Sequence, residues 1–591
     1  MQRWLATFLA LFLTVLPVDA QTPNLNILRM NGGITAAYSW NFAQKGSLDT
    51  NNFTYAGASL KTVVDATGNL TYAPNNLLTY SNTFSNAAWS LGSSGTGTNP
   101  TLTAGYTTDP NGNPATRVQM SLGATPSTAY TRIVQSVSGG SFGRIVNSVW
   151  IKTNDATTQT IYMIGTGAGA TYGVVTVTGS WTLISPGYYT TTGPNFQLGL
   201  AGAGSSIGVT TSTSVDISIA EATLSAVTYE TSPRSGDQVI TTSAAYYGPA
   251  FDCATTGGPY AGLWTGCALR VEGSATNLLT YSGAVGGTNY TLLSNGSSNP
   301  VVTQNYGTAP DGTNNATRVQ FPAISSNSNR SIIYQSATVV SGSTYTRSVY
   351  ARATTGTASL QFANGTYSVL VALTTSWQRI SVPVLTSSTT DNWEVGPDPL
   401  AGGPVTSPYA AADVMLWGAQ TELGSFATSY EPTAASTVAR AGDVVGIIGP
   451  ALAVLKGSAG AAVLEWNPQG FTSGTRTALI SGSTYPQIFL HAYAASINSY
   501  QGTNVDLNVS NPVGVTSRSG ISWNAAGRTI SGNGVAPASG SGTFSGITAA
   551  YLGQGAGDAQ LNGHATKLYL YNKALPPAVL QSNTNLNTVL H

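Results

Sequence analysis

Charged side chains are scarce: 22 Lys and Arg against 22 Asp and Glu make up 7% of the 591 residues, where an average soluble domain has about 25%. The formal net charge of zero removes the electrostatic pull that nucleic acid and anionic membranes exert, so neither is an expected partner. Histidine is nearly absent, and His491, His564 and His591 are too scattered to form a metal pair at helical spacing. His564 is expected to fix a turn in the final hairpin. The two cysteines, Cys253 and Cys267, have no partnering histidines and so make no zinc site. Long apolar runs are missing too: residues 4–16 are too few to span a bilayer, and no other segment resembles a span.

The machinery of hydrolysis is also lacking. No Gly-x-Ser-x-Gly elbow or phosphate loop stands between a strand and a helix, and the glycine-rich runs sit among strands, where they mean turns. Glu465 beside Trp466 invites a glucanase reading, but no second acid lies two or four positions on, where the same strand face would present it. The expectation is that the protein is not an enzyme.

What is present points to extended, well-packed structure. Hydrophobic residues reach 41%, and Trp, Tyr and Phe recur throughout, which disfavours disorder. Arg3, the apolar run 4–16 and the small residues of Val18-Asp19-Ala20 fit a secretory signal cleaved before Gln21; a buried N-terminal element or a virion-anchoring peptide fits the same features. Cys253 and Cys267 flank a turn-rich stretch with Gly257, Gly258, Pro259 and Gly266. In an oxidising compartment they read as a disulfide staple, and in a reducing one as two buried thiols.

Internal repetition sets the organisation. Asn76-Leu77-Leu78-Thr79-Tyr80-Ser81 returns unchanged as residues 277–282, and Ala115-Thr116-Arg117-Val118-Gln119 returns as 316–320, both at an offset of 201. Gln135, Trp150 and Trp181 answer Gln335, Tyr350 and Trp377, with small slips in offset that read as loop-length changes. A unit of about 160 residues is too long for a solenoid repeat and suits a whole β-sandwich. Within it, Arg117, Gln119 and Ser121 alternate with Val118 and Met120, the period of a half-buried strand. Turn clusters such as Asp109-Pro110-Asn111-Gly112 separate the strands. The expected fold is all-β: tandem antiparallel sandwiches of the jelly-roll kind, two homologous and one different. The expected divisions are a signal-like segment (1–20), a strand-rich segment (21–75), repeat one (76–234), a connector with the cysteine pair (235–276), repeat two (277–440) and a third sandwich (441–591).

The repeated blocks carry a resemblance. Asn-Leu-Leu-x-Tyr-Ser, a Pro-Asp-Gly turn before Ala-Thr-Arg-Val, a Trp-x-Arg strand at Trp377 to Arg379, and Trp417-Gly418-Ala419-Gln420 through Thr433 together resemble the carbohydrate-binding-module-like sandwich of phage tail-fibre and head-spike proteins and their prophage relatives. Repeat one departs where Ile219-Ala220-Glu221 replaces Trp-Gly-Ala-Gln. Residues 441–591, with Ser522-Trp523, Arg528, residues 531–534 and Leu561-Asn562-Gly563-His564, resemble the concanavalin A-like, laminin-G-like sandwich. These resemblances imply a virion structural protein of the fibre or spike kind, extracellular or virion-borne, with a cell-surface glycan and other virion proteins as partners. They also imply a homo-oligomer, a trimer among the options. A secreted bacterial adhesin or matrix protein is the alternative, and a polysaccharide depolymerase the third reading.

Sugar binding asks for an aromatic platform beside amides and short acids. The candidates by this rule are Tyr493, Tyr500, Asn504, Asp506 and Trp523 in the third sandwich, with Trp393 and Asn392 in repeat two; Tyr367 and Tyr409 are further aromatics. Asp506, Asn508 and Asp558 are the residues that would hold calcium, if any cofactor is used. Trp150, Trp181, Trp377 and Trp417 are assigned to the core because they lie in alternating strands, and Arg117 and Arg318 to cross-strand or carboxylate pairing. Most glycan binding is expected in residues 441–591.

Overall fold

A computed structural model describes residues 36–590 except 43–47, 138–143, 165–172, 191–192, 205–209, 257, 364–367, 402–408, 469–475, 482–488, 494–495, 502–503, 511–515, 542–546, 554–559 and 589. The protein is all-β, as expected. The helices among the described residues are short: Gly449–Leu455 and Pro577–Thr584 are the α-helices named. No helix among them is long and apolar enough to cross a membrane.

The two repeats fold alike. In repeat one, one sheet runs in the order Thr98–Thr108, Pro114–Ser121, Ser214–Val227, Arg144–Thr153 and Thr182–Ile184. In repeat two its counterpart runs Val301–Gly307, Ala316–Phe321, Ala412–Leu423, Thr344–Ala353 and Gln378–Leu385, the same order. The facing sheets also match, Ser90–Ser94, Tyr130–Ser136, Asn195–Ala201, Gln159–Ile164 and Gly173–Val177 against Thr291–Asn295, Arg330–Thr338, Thr390–Val395, Ala358–Ala363 and Ser368–Leu373. Alternation works as read: Val118 and Met120 are buried while Arg117 and Gln119 face outward. Each pair of sheets closes on its own apolar core, around Ile133, Ile151, Phe196 and Ile217 in one and Val319, Val349, Phe362 and Trp393 in the other.

The unchanged Asn-Leu-Leu-Thr-Tyr-Ser block proves to be a latch. The Asn76 side-chain amide donates to Ala222 O and that of Asn277 to Ala419 O, while Gln135 and Gln335 each bracket the backbone of Thr79 and Thr280. Tyr80 and Tyr281 both take a left-handed φ, 47° and 50°, so the chain bends back at the same place. Both repeats also share a bulge, between Ser148 and Trp150 and between Ser348 and Tyr350. Across it, Gly418 has φ 67° in repeat two, and Glu221 takes φ 50° at the matching position, its carboxylate held by the Asn111 and Asn113 amides. The departure in repeat one is therefore a local exchange within the same backbone.

The third sandwich differs from the expected boundaries. One of its sheets joins Gly460–Pro468, Ser517–Asn524, Gly527–Gly532 and Gly563–Tyr571 to the hairpin Ala250–Cys253 and Cys267–Val271, and Tyr38–Asn41 also pairs with Gly563–Tyr571. The other adds Phe53–Ala56 beside Val444–Ile447. Its core mixes all three stretches: Trp40, Phe42 and Phe53, then Phe251 and Leu269, then Trp466, Ile521, Trp523 and Leu568. Residues 441–591 are thus part of a sandwich, and the strands Tyr38–Asn41 and Phe53–Ala56 of the expected strand-rich segment and Ala250–Cys253 and Cys267–Val271 of the expected connector complete it. We call this composite sandwich the base. Each repeat leaves and rejoins it through a short two-stranded ribbon, Asn75–Asn76 with Tyr246–Tyr247 and Ala275–Asn277 with Val438–Arg440. Cys253 and Cys267 lie directly opposite in their hairpin and are joined as a disulfide, Cα atoms 3.8 Å apart.

A chain with so few charges concentrates many of them inside the base. Asp252, fully buried, accepts bonds from Arg270 Nη1 (2.7 Å) and the Val64 amide (2.8 Å) and shares one with His564 Nε2 (2.7 Å). His564, the second residue of the strand Gly563–Tyr571, is therefore held against a buried carboxylate. Burial raises the Asp252 carboxyl, yet Arg270 and His564 outweigh it and hold the group below the usual carboxylate range. Nearby, Asp443 pairs with Lys61 and Tyr55, and Arg440 lies 2.8 Å from Glu431.

Candidate functional site

Of the sequence-derived sugar candidates, the described tryptophans lie in two different cores. Trp393 is fully buried, its indole N–H donating to Ser348 O at 3.0 Å, and Trp523 is 2% exposed and donates to Gly457 O at 2.9 Å. Both are core residues, so neither offers a face to a sugar. Asn392 is half-buried beside Trp393 and accepts from Ser336 Oγ. Tyr409 is buried as well, with its hydroxyl on Ser359 O. Tyr493, Tyr500, Asn504, Asp506 and Asn508 lie in strands whose side chains at these positions are outside the described residues, as are Tyr367 and Asp558 altogether. No group of three or more His, Cys, Asp and Glu that could hold a metal occurs among the described residues. Glu465 is tied to Arg518, Lys567 and Thr566, which leaves it neither free nor poised as an acid.

Three tryptophans assigned to the core lie instead at the surface. Trp150, Trp181 and Trp377 are half-buried on the outward sheet face, where Lys152 lies over Trp181 and Arg352 over Trp377; Trp417 is buried as expected. Strand alternation is right for them, but their faces are the outer ones.

A different constellation is present twice. Gly105 and Asn305 both adopt a left-handed φ, 64° and 54°, within matching register shifts of Thr98–Thr108 and Val301–Gly307. Each irregularity turns the following tyrosine outward, leaving Tyr106 47% and Tyr306 44% exposed. Arg117 and Arg318 lie over these rings at the same 4.9 Å. Each guanidinium then forks onto an aspartate of the neighbouring strand, Arg117 Nε to Asp216 at 2.8 Å and Arg318 Nε to Asp413 at 2.9 Å, with the second arm closing the pair. The reading of these arginines as carboxylate partners holds. Hydrogen bonds from Arg117 and Arg318 hold the Asp216 and Asp413 carboxyls below their usual range, so both stay ionised. Exposed Gln119 and Gln320 stand beside them, and Asn154 or Thr354 donates to each carboxylate at 2.7 Å. In repeat two this patch borders a shallow groove of about 360 Å³ lined by Asn299, Val301, Gln320, Pro322 and Asp413. The arrangement offers an exposed ring, a fixed ionised acid and amides on one rigid sheet face. Sequence reasoning missed Tyr106 and Tyr306, although their offset of 200 and the left-handed-tolerant Gly105 and Asn305 before them mark the pair.

The fold and patch define an all-β protein in which two homologous sandwiches, set into a third, present the same polar-aromatic surface. No protein-family model and no curated protein sequence matches the chain. Among solved structures it is similar to the N-terminal CBM22-1–CBM22-2 tandem domain of Xyn10C from Paenibacillus barcinonensis, with 13% identity, a TM-score of 0.21, and 59% of this chain and 98% of that one covered. It is also similar to domain 4 of AbnA, an extracellular GH43 arabinanase from Geobacillus stearothermophilus, with 19% identity, a TM-score of 0.19, and 27% and 81% covered. A Trypanosoma rangeli sialidase aligns with 9% identity, a TM-score of 0.20, and 90% and 98% covered. Similarity at that level carries no functional argument, and the sandwich assignment rests on strand order.

Proposed function

We propose that the protein is a non-enzymatic glycan-binding display protein of the virion fibre or spike kind, working outside the cell. The observation that carries this reading is the duplicated Tyr-Arg-Asp-Gln patch. A sugar ring stacks its apolar face on Tyr106 or Tyr306 while its hydroxyls donate to Asp216 or Asp413 and exchange bonds with Gln119 or Gln320. A single shallow patch binds weakly, and two on one chain, multiplied by oligomerisation, raise avidity without new contacts. The carboxylates are each held in place by an arginine and an amide or hydroxyl, which suits recognition and leaves no acid-base pair for glycoside cleavage among them. The Cys253–Cys267 bond supports a protein that meets oxidising surroundings, whether virion-borne or secreted.

The test is a glycan array probed with the intact protein and with Tyr106→Ala, Tyr306→Ala and the double variant. Each single change is expected to weaken binding of neutral glycans and the double change to abolish it, with no glycan shortened in either case. Unaltered binding by the double variant, or release of cleaved sugar, overturns the proposal. Mass spectrometry of purified particles and of culture supernatant separates the virion reading from the secreted one.

A further inference from the structure

A second recess lies where repeat two meets the base. Leu70 N donates to Pro310 O across this junction, and the hairpin of Thr62–Val64 and Leu70–Tyr72 packs against the outward face of the repeat-two sheet. The recess has a volume of about 240 Å³. That is below the roughly 300 Å³ at which pockets for drug-sized ligands begin, and it leaves room for one substituted sugar ring. Its repeat-two wall is aromatic, Trp377 and Tyr350; Val64 and Leu70 form its apolar base-side wall, and Thr255, Thr256 and Ser376 bring hydroxyls to it.

Arg379 lines the same recess. Its Nη1 donates to Thr428 O and its Nη2 to Ser348 Oγ at 3.1 Å, while its Nε has no partner. Arg318, Arg347 and Arg440 of the same sandwich and its neck each have a carboxylate in ion-pair range, whereas Arg379 has none among the described residues. Glu422, whose carboxyl Arg379 influences, is itself held by Thr428 and Gln420, and burial pushes that carboxyl up. A half-buried guanidinium without a counter-charge, beside an indole in a recess, is matched by a ligand that brings its own anion. Repeat one sharpens the point. There Trp150 and Trp181 occupy the places of Tyr350 and Trp377, but Leu183 stands where Arg379 does, opposite Trp150 in the same register as Arg379 opposite Tyr350.

We propose that this recess is a distinct binding site for a carboxylate-bearing pyranose, with Arg379 taking the carboxylate, Trp377 the ring face, and Thr255, Thr256 and Ser376 the hydroxyls. The site does not depend on the Tyr106 and Tyr306 patches. Because it is shared between repeat two and the base, its occupancy also fixes the relative placement of those two units.

The experiment is calorimetric titration of the full chain with tetragalacturonate and with its methyl ester, which keeps the sugar and removes the charge, alongside an array of acidic glycans and their neutral counterparts. Arg379→Leu is the variant of choice because the homologous sandwich already carries Leu183 there and folds. Binding of an acidic glycan is expected to exceed that of its neutral counterpart and to fall roughly ten- to a hundredfold in Arg379→Leu. It should persist in the Tyr106→Ala/Tyr306→Ala variant, which separates the two sites. If the ester binds as well as the acid, if Arg379→Leu leaves acidic binding intact, or if no acidic glycan binds, the proposal is overturned.

Discussion

Replacing Asp252 with asparagine tests how the base is tied together. Asp252 joins three separate stretches of chain: its own hairpin through Arg270, the 62–64 strand through the Val64 amide, and the last strand through His564. Asparagine keeps the shape but has one acceptor oxygen in place of two, and no charge. Arg270, 3% exposed, is left with Glu272 at 3.5 Å and the Thr62 carbonyl. Removing one partner of a buried pair costs about 3–5 kcal/mol, because the remaining charge stays buried and uncompensated. Glu272 retains part of the compensation, which places the loss at the lower end, about 3 kcal/mol, or about two powers of ten in an opening equilibrium. Hydrogen exchange of amides in 62–64 and 563–566 should accelerate by that factor, while 118–120 and 319–321, inside the repeats, keep their protection. The sign with pH follows from the depressed carboxyl: its contribution is complete above the unfolded value of about 3.9 and disappears as pH falls through the lower folded value, so the variant should lose that acid sensitivity. Unchanged exchange at 62–64 and 563–566, or equal acceleration in all three sandwiches, would refute the reasoning.

Other outcomes are equally specific. Glu394, buried and facing Asp398, has its carboxyl pushed up to about 8 by burial and then by that neighbouring charge. Since the folded form keeps a proton that the unfolded form sheds above about 4.3, stability should decline between there and about pH 8 and then level off; urea midpoints at pH 5 and 8 should differ less for Glu394→Gln than for the parent. Gly418→Ala forces a left-handed alanine whose Cβ would lie 3.1 Å from Tyr350 Cδ2, so repeat two should lose about 1–2 kcal/mol, read by exchange at 349–351. Reducing the 14-residue Cys253–Cys267 loop should destabilise the base by about 3 kcal/mol and lower only its thermal transition.

Much of the architecture was legible because it is written twice. The Asn76–Ser81 and Ala115–Gln119 blocks keep their order at 277–282 and 316–320, the first as a backbone latch in both repeats and the second through the same arginine–aspartate fork. The base was not legible as a unit, since Tyr38–Asn41 pairs with Gly563–Tyr571 and nothing local in either strand names a partner more than five hundred residues away. Aromatic exposure was misread for a related reason: alternation says that Trp393 and Asn392 face opposite ways but not which way is out. Tyr106 and Tyr306 needed one more step, combining the repeat offset with residues that tolerate a left-handed φ.

The pairing of Tyr38–Asn41 with Gly563–Tyr571 also sets a timetable at the ribosome. Each inserted sandwich can close as soon as its own residues have emerged. The base strands at 38–41, 53–56 and 250–253 cannot, because their partners are translated much later or depend on strands that are. At about 5–20 residues per second, Tyr38–Asn41 waits roughly half a minute to nearly two minutes for its partner, with unpaired edges open to other chains. A nascent chain stopped short of residue 563 would therefore carry two finished sandwiches on an unfinished base, and a translational pause late in the message would lengthen the interval in which newly made copies can entangle.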